Sequence, residues 1–306
     1  MEFESFFQTL KTKKSAKNDI LFCGSFVPSE DKIDITWIPT LICNYKCRYC
    51  KTYQNLPENY ASKQNIDRTA EFIKDIRRTK KNIILEGGEV TTHPDFFYMI
   101  DKLEFCSRIT VFTNLGCRQN TISKLVERKC YIASSYHPDI ESSDSYIEKL
   151  KYILKIGGNI KYINIMIMSQ HFDDAEKVLS FCKENRIVYR LVPLRGENES
   201  KLLVWAIRNS SRDAKKIHML YGDMKMKSFS REELFLFDKS DFYGYKCYSG
   251  VSSIIIDHHG DVFCCDMDKR CGNKLCTVND KFTIDIPRIC SYHKKCTCDI
   301  NVPKMI

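Results

Sequence analysis

The chain of 306 residues contains no run of about 18 apolar residues, so no membrane-spanning helix is expected. Its first segment, MEFESFFQTLKTKKSAK, is acidic, then aromatic, then basic. A secretory signal has another order: a positive start, an apolar run and a small-residue cleavage site. A cytoplasmic location is therefore expected. Recognisable nucleic-acid motifs are missing too, and the lysines are scattered through segments such as IDRTAEFIKDIRRTKK rather than massed. The net charge of +9 thus reads as a solvated basic surface, and neither a nucleic-acid nor a membrane partner is expected.

Cysteine, by contrast, is abundant. The chain has sixteen, and in a reducing compartment that many favour metal binding or redox chemistry over a disulfide framework. Eight fall between Cys247 and Cys298, and three, Cys43, Cys47 and Cys50, share the stretch LICNYKCRYC. Among the scattered ones, Cys106, Cys130 and Cys182 lie on apolar faces and read as buried free thiols. A 43% hydrophobic content suffices for one large domain, or one domain with a small companion.

Apolar periodicity alternates between two periods along the middle of the chain. Strands are expected at IDITWIP, NIILEGGE, SRITVFTN, CYIASSYHP, KYINIMIM and IVYRLVPL. Helices are expected between them: residues 66–80, PDFFYMIDKLEF, QNTISKLVER, SSDSYIEKLKYILKIGG and DDAEKVLSFCKENR. In the fourth helix Ser142 or Ser143 serves as cap, and Ile147, Leu150 and Leu154 as the apolar stripe. Six strands alternating with five helices predict an α/β fold, a partial (β/α)6 TIM-like barrel of parallel strands with helices outside.

Active sites of such folds lie at the C-terminal ends of the strands. Those ends carry the cysteine triad, Gly87-Gly88-Glu89, Thr113-Asn114, Ser134-Ser135-Tyr136-His137, Met168-Ser169 and Pro193-Leu194-Arg195. Residues 201–245 change character and read as a helical linker, with SSRDAKKIHMLYGDMK as its helix. After it, GVSSIIIDHHGDVFCCDM reads as a β-hairpin flanked by cysteines.

A triad spaced C-x3-C-x2-C suits either a structural zinc site lacking its fourth ligand or a [4Fe–4S] cluster with one iron left open. The spacing, with aromatic Tyr49 just before the last cysteine, resembles the signature of radical S-adenosylmethionine (radical SAM) enzymes. The resemblance implies that Cys43, Cys47 and Cys50 bind three irons. SAM chelates the fourth and is cleaved to methionine and a 5′-deoxyadenosyl radical that takes a hydrogen atom from substrate. Gly87-Gly88-Glu89 resembles the family's "GGE-P" motif, which receives the SAM amino group, with Val90 standing where proline is usual. Thr113, Asn114, Ser134 and Ser135 occupy positions that in the family contact the ribose or carboxylate of SAM. Asn164 and Val192 resemble ribose and adenine contacts, and Arg195 is a partner for a carboxylate. An electron donor such as a flavodoxin or ferredoxin is implied.

Cys247 and Cys265, spaced C-x12-G-x4-C around Gly260, resemble the opening of the SPASM and twitch domains, which hold auxiliary [4Fe–4S] clusters. The later spacing is irregular, so one auxiliary cluster is expected, held by Cys247 and Cys265 with two of Cys290, Cys296 and Cys298. A zinc-binding tail is the alternative, with His258, His259 and His293 as further ligands. The expected organisation is an N-terminal extension (1–30), the radical SAM core (31–200), the helical linker (201–245) and a small cysteine-rich SPASM/twitch-like domain (246–306).

Candidate catalytic residues are His137 for acid–base work, Tyr136 for stacking on a substrate and Cys264 as a thiol hydrogen donor. The resemblance implies dehydrogenation or epimerisation. A small polar or sugar-like substrate is expected, because residues 1–30 cannot hold a leader-peptide domain. The alternatives are a peptide-modifying maturase, or a non-catalytic iron–sulfur or zinc-binding protein.

Overall fold

A computed structural model of the chain describes residues 20–23, 31–50, 60–194, 206, 209, 217–220, 226–229, 241–283, 286–293, 296 and 304–305. In chain order its elements begin with β1 (Ile20–Cys23), β2 (Lys32–Thr40), α1 (Lys63–Asp75) and β3 (Lys80–Gly87). Next come α2 (Phe96–Lys102), β4 (Arg108–Thr113), α3 (Gln119–Glu127), β5 (Tyr131–Tyr136) and α4 (Ser143–Lys155). They continue with β6 (Asn159–Ile167), α5 (Phe172–Glu184), β7 (Tyr189–Pro193), β8 (Ile217–Leu220) and β9 (Met226–Phe229). The last are β10 (Lys246–Cys247), β11 (Ser253–Ile256), β12 (Asp261–Phe263), α6 (Asp266–Cys271), β13 (Cys276–Thr277), β14 (Arg288–Ile289) and β15 (Lys304–Met305).

These elements form two compact units. The larger comprises Ser29–Ala214 and Gly250–Asp285, the smaller Met1–Pro28, Lys215–Ser249 and Ile286–Ile306.

In the larger unit β2 to β7 pair in sequence order, all parallel, each joined to the next by a helix. The two-residue strand period decides which side of the sheet each residue faces. Ile33, Ile35, Trp37, Ile83, Leu85 and Val111 bury against α1 and α2 in one core. Ile132, Ile163, Ile165, Ile167, Tyr189 and Leu191 bury in a second, under α4 and α5. Each such side chain contributes about 1.5–3 kcal/mol by leaving water. Asp34, Asn82, Thr110, Ser135 and Asn164 occupy the intervening positions on the other, concave face. Ser142 caps α4, its hydroxyl accepting from the N–H of Ser145 at 3.3 Å. The buried stripe of α4 is Tyr146, Leu150 and Ile153 rather than the expected Ile147, Leu150 and Leu154, and Leu154 is 37% exposed.

The hairpin forms as expected: β11 and β12 pair antiparallel, and Gly260 turns the chain at φ +85°. Its place differs from expectation. β11 pairs in parallel with β2, so the hairpin extends the barrel's own sheet. The reason is apolar: Ile254, Ile256 and Val262 share one core with Ile33, Ile35 and Trp37. Residues 246–306 therefore divide between the two units.

The smaller unit holds a sheet in the order β14-β10-β15-β1-β8-β9. It corrects one expectation. Within the segment read as a linker helix, Ile217–Leu220 is a strand, paired along its length with Ile20–Cys23 and with β9. The N-terminal extension supplies that partner, so hydrogen bonds over some 200 residues of sequence override a local helical pattern. Among the described residues no helix is long and apolar enough to cross a membrane.

Candidate active site

The cysteine loop leaves β2 at Thr40 and lies against the end of β3. The N–H of Gly88 donates to the Thr40 carbonyl at 3.0 Å, and that of Glu89 to the Ile42 carbonyl at 2.8 Å. No side chain fits between these backbones. A Cβ on Gly87 would stand 2.2 Å from the Thr40 oxygen, and one on Gly88 2.1 Å from the Ile42 oxygen. Gly87 also has φ +155°, a region nearly confined to glycine. The two glycines thus admit the base of the cysteine loop.

Glu89 is buried and closes the ends of β3 and β4 together. Its Oε1 accepts from the Thr91 N–H (3.2 Å), the Thr91 hydroxyl (2.5 Å) and the Thr113 hydroxyl (2.8 Å), and its Oε2 from the Asn114 N–H (2.7 Å). Burial pushes its carboxyl above the usual carboxylate range, against the pull of these bonds. Thr113 and Asn114 are thereby engaged with the protein itself. Oε2, with one donor, keeps a further acceptor direction.

Asn114 continues the clasp. Its Nδ2 donates to Asn44 Oδ1 at 2.8 Å and stands 3.8 Å from Cys43 Sγ, and Asn44 Nδ2 donates to the Gly116 carbonyl at 3.1 Å. The turn between them carries Leu115 at φ +57°, fully buried, a strained conformation for a leucine.

From the other side His137, just past β5, meets the loop. Its Nδ1 is 2.5 Å from the Tyr49 hydroxyl and 3.6 Å from Cys47 Sγ, and its ring stacks on Tyr49 with 14° between planes. Burial lowers the His137 pKa, with Asp139 and Glu141 opposing. Burial holds the Tyr49 phenol protonated. His137 therefore holds the loop, whatever its part in proton transfer.

Cys43 and Cys47 are half-buried and Cys50 is exposed. Burial raises both Cys43 and Cys47, Cys47 to about 11, and Cys50 acts electrostatically on each. Among the described residues no three His, Cys, Asp or Glu side chains converge tightly enough to hold a metal ion as they stand. The donor set is still of the right kind: three soft thiols on one loop, close enough to repel as thiolates, which a bound iron would relieve.

Strand register sorts the remaining expected residues. Ser135 on β5, Asn164 on β6 and Arg190 on β7 form one rung on the concave face. Asn164 Nδ2 donates to Ser135 Oγ at 3.4 Å, and its buried Oδ1 has no partner among the described residues. Val192, half-buried, lies on the same face two residues beyond Arg190. Ser134 and Tyr136 are corrections. The period of two turns both toward the helices, where the Ser134 hydroxyl accepts from Tyr146 at 2.8 Å and the Tyr136 ring packs on Tyr146 at 5.1 Å. Tyr136 is fully buried and belongs to the core. Arg195 lies outside the described residues.

A family model described as the radical SAM superfamily matches residues 37–205, more than half of the chain. The chain belongs to the radical SAM superfamily. Members use a [4Fe–4S] cluster and SAM, and the parallel barrel described above is their partial TIM-like fold. Among solved structures, "Native anSMEcpe with bound AdoMet" is similar at 14% identity and TM-score 0.58, over 82% of this chain and 79% of that one. Streptococcus suis SuiB bound to S-adenosylmethionine is similar at 15% identity and TM-score 0.56, over 84% and 67%. SuiB bound to its precursor peptide SuiA gives 16% and 0.59, over 82% and 64%. At these identities the likeness establishes the fold. No curated protein matches in sequence.

This radical SAM chain distributes its later cysteines over both units. In the smaller, Cys247 is buried on β10, Cys290 follows β14, and Cys296 is half-buried. Lys246 pairs with Ile289 and Cys247 with Arg288, so Cys247 and Cys290 share one face of that ladder. In the larger, Cys265 caps α6, its Sγ accepting from the Asp268 N–H at 3.5 Å. Cys264 is buried beside it; the Cys276 thiol is pushed up to about 11 by burial first, then by Asp280 and Cys264. Cys271, at the end of α6, is exposed. Cys298 lies outside the described residues.

Residues that sequence reasoning passed over include Asn44, Tyr45, whose hydroxyl donates to Glu141 Oε2 at 2.8 Å, and Asp139, whose Oδ2 accepts the Arg48 N–H at 3.2 Å, so that Asp139 and Glu141 both position the loop. The only signal for the last two was their place in the polar segment after β5.

Proposed function

We propose that this radical SAM enzyme binds its cluster through Cys43, Cys47 and Cys50 and modifies a peptide by hydrogen-atom abstraction, ending in oxidation or epimerisation. The cluster supplies, when bound with SAM, the electron that cleaves SAM to methionine and a 5′-deoxyadenosyl radical. The observation that carries the reading is the backbone contact of Gly88 and Glu89 with Thr40 and Ile42, which joins two distant motifs at the C-terminal mouth of one barrel.

Around that mouth the chain offers a binding surface for SAM: Tyr49 stacked on His137, the free direction of Glu89 Oε2, and the Ser135–Asn164 rung with Val192 beyond it. Thr113 and Asn114 orient Glu89 rather than reach outward. Arg195 is retained as a carboxylate partner. Cys247, Cys290, Cys296 and Cys298, all within the smaller unit, are the proposed ligand pool of an auxiliary cluster, supported by the shared face of Cys247 and Cys290. Such a cluster suits oxidation, whereas Cys264 as hydrogen donor suits epimerisation. A peptide is favoured over a sugar-like substrate because similar structures hold bound peptides, Kp18Cys in one and SuiA in the other. The electron donor is a flavodoxin or ferredoxin, in the cytoplasm.

Anaerobic reconstitution is expected to load about eight irons, four per [4Fe–4S] cluster. Reductant and SAM should then yield 5′-deoxyadenosine, and joint replacement of Cys43, Cys47 and Cys50 by alanine should abolish it. Deoxyadenosine formed by that triple variant would refute the reading. Deuterium carried into deoxyadenosine from a labelled peptide, and not from a labelled sugar, would identify the substrate class.

A further inference from the structure

Tyr45 stands between Cys43 and Cys47 in the chain, at a motif position where any residue is allowed. Its N–H donates to Cys43 Sγ at 3.4 Å, and its hydroxyl donates to Glu141 Oε2 at 2.8 Å.

Glu141 lies between β5 and α4, and its side chain is only 7% exposed. Its Oε1 accepts from the Ser145 hydroxyl at 2.8 Å and from the Lys149 ammonium. Its own N–H donates to the His137 carbonyl at 3.1 Å. Ser145 and Lys149 belong to α4, whose Tyr146, Leu150 and Ile153 are fixed in the core. On the other side the Tyr45 ring lies so close to Gly116 that a Cβ there would stand 2.8 Å from Cε1. One buried carboxylate, ion-paired with Lys149, thus ties the middle of the cysteine loop to a rigid helix.

We propose that Tyr45 and Glu141 are a positioning pair that holds Cys43 and Cys47 in the spacing their cluster needs. The proposal rests on the assignment of those cysteines as cluster ligands. Neither residue touches a reacting atom. A three-thiolate site has no fourth protein ligand to enforce its geometry, so the intervening residues must do so. A charge-assisted bond from a half-buried phenol to a buried carboxylate is a strong device for it.

The test uses the reconstituted full-length chain and the variants Tyr45→Phe, Glu141→Gln and the double. The readouts are loss to a chelator of the SAM-sensitive electron paramagnetic resonance signal of the reduced cluster, and the thermal midpoint. Each single variant is expected to lose that signal about tenfold faster than the native chain, the scale of one charge-assisted bond. The double should be no faster than Glu141→Gln alone, because the bond that Tyr45→Phe removes is already lost there, and the midpoint of Tyr45→Phe should move little. Tyr45→Phe removes one oxygen and decides the matter alone if Glu141→Gln fails to fold. Single variants within twofold of native, or effects that multiply in the double, overturn the pair. A native chain without a SAM-sensitive signal overturns the cluster assignment as well, which separates the two failures.

Discussion

The Oε2 atom of Glu89 accepts the backbone N–H of Asn114 at 2.7 Å, joining the end of β3 to the turn after β4. That turn in turn reaches Asn44 in the cysteine loop. A glutamate from one motif thus sets the position of the loop carrying the other.

Glu89→Gln is expected to cost about 1–3 kcal/mol of stability. The amide can keep its oxygen toward the three donors from Thr91 and Thr113, but its NH2 then faces the Asn114 N–H. Hydroxyls can rotate and a backbone N–H cannot, so a buried donor is left without an acceptor. Urea titration of both proteins measures the loss, and an unchanged midpoint would contradict the bracket.

Gly88→Ala tests the approach of the loop. Its Cβ would fall 2.1 Å from the Ile42 oxygen, which is backbone and cannot swing aside. Overpacking of this kind costs about 1–3 kcal/mol, and the displaced segment leads straight into Cys43. Lower iron content after reconstitution, together with a lower thermal midpoint, is the expected result. Gly157→Ala, where a Cβ meets nothing within 4 Å, is a control for backbone strain alone.

Tyr136→Phe separates a core role from a catalytic one. The Tyr136 hydroxyl is buried without a partner among the described residues, so deleting it should leave stability unchanged or raise it by up to about 1 kcal/mol. Deoxyadenosine formation should be unchanged. A tenfold loss of activity in a stably folded variant would return Tyr136 to the site.

His93 gives a pH signature away from the cysteines. Its Nδ1 accepts from the Asp95 N–H at 3.0 Å and its Nε2 donates to the Ala61 carbonyl at 3.0 Å, so the fold binds the neutral ring. Burial lowers its pKa below the ordinary 6.5. Between those two values the unfolded chain holds more protons, and stability rises with pH. Stability should therefore fall as pH drops below about 6.5, and level off beneath the folded value. In urea titrations at pH 7 and pH 5, His93→Gln should lose less on acidification than the native chain. Equal losses would exclude this role.

The barrel was legible in the sequence because each strand and helix announces itself locally. β2 alternates Ile33, Ile35 and Trp37, and α4 carries its own cap in Ser142. The cysteine triad and Gly87-Gly88-Glu89 were legible because their chemistry sits in consecutive residues. Facing was less so. Ser134 and Ser135 are equally polar and adjacent, yet one meets Tyr146 and the other Asn164. Only the strand's phase, anchored by Ile132 in the helix-side core, separates them.

Local chemistry, then, was determined by the sequence alone: a thiol triad, a flexible glycine pair with a carboxylate, and β-α units that bring strand ends to one mouth. The tertiary structure decided what depends on partners far along the chain. β11 joins β2 because Ile254 and Ile256 find Ile33 and Ile35, and Ile217–Leu220 is a strand because Ile20–Cys23 supplies its hydrogen bonds. Tyr45, at a position the motif leaves open, gains its role from Glu141, 96 residues away. No local pattern encodes such pairs, since their free energy exists only once the intervening chain has folded and brought them into contact.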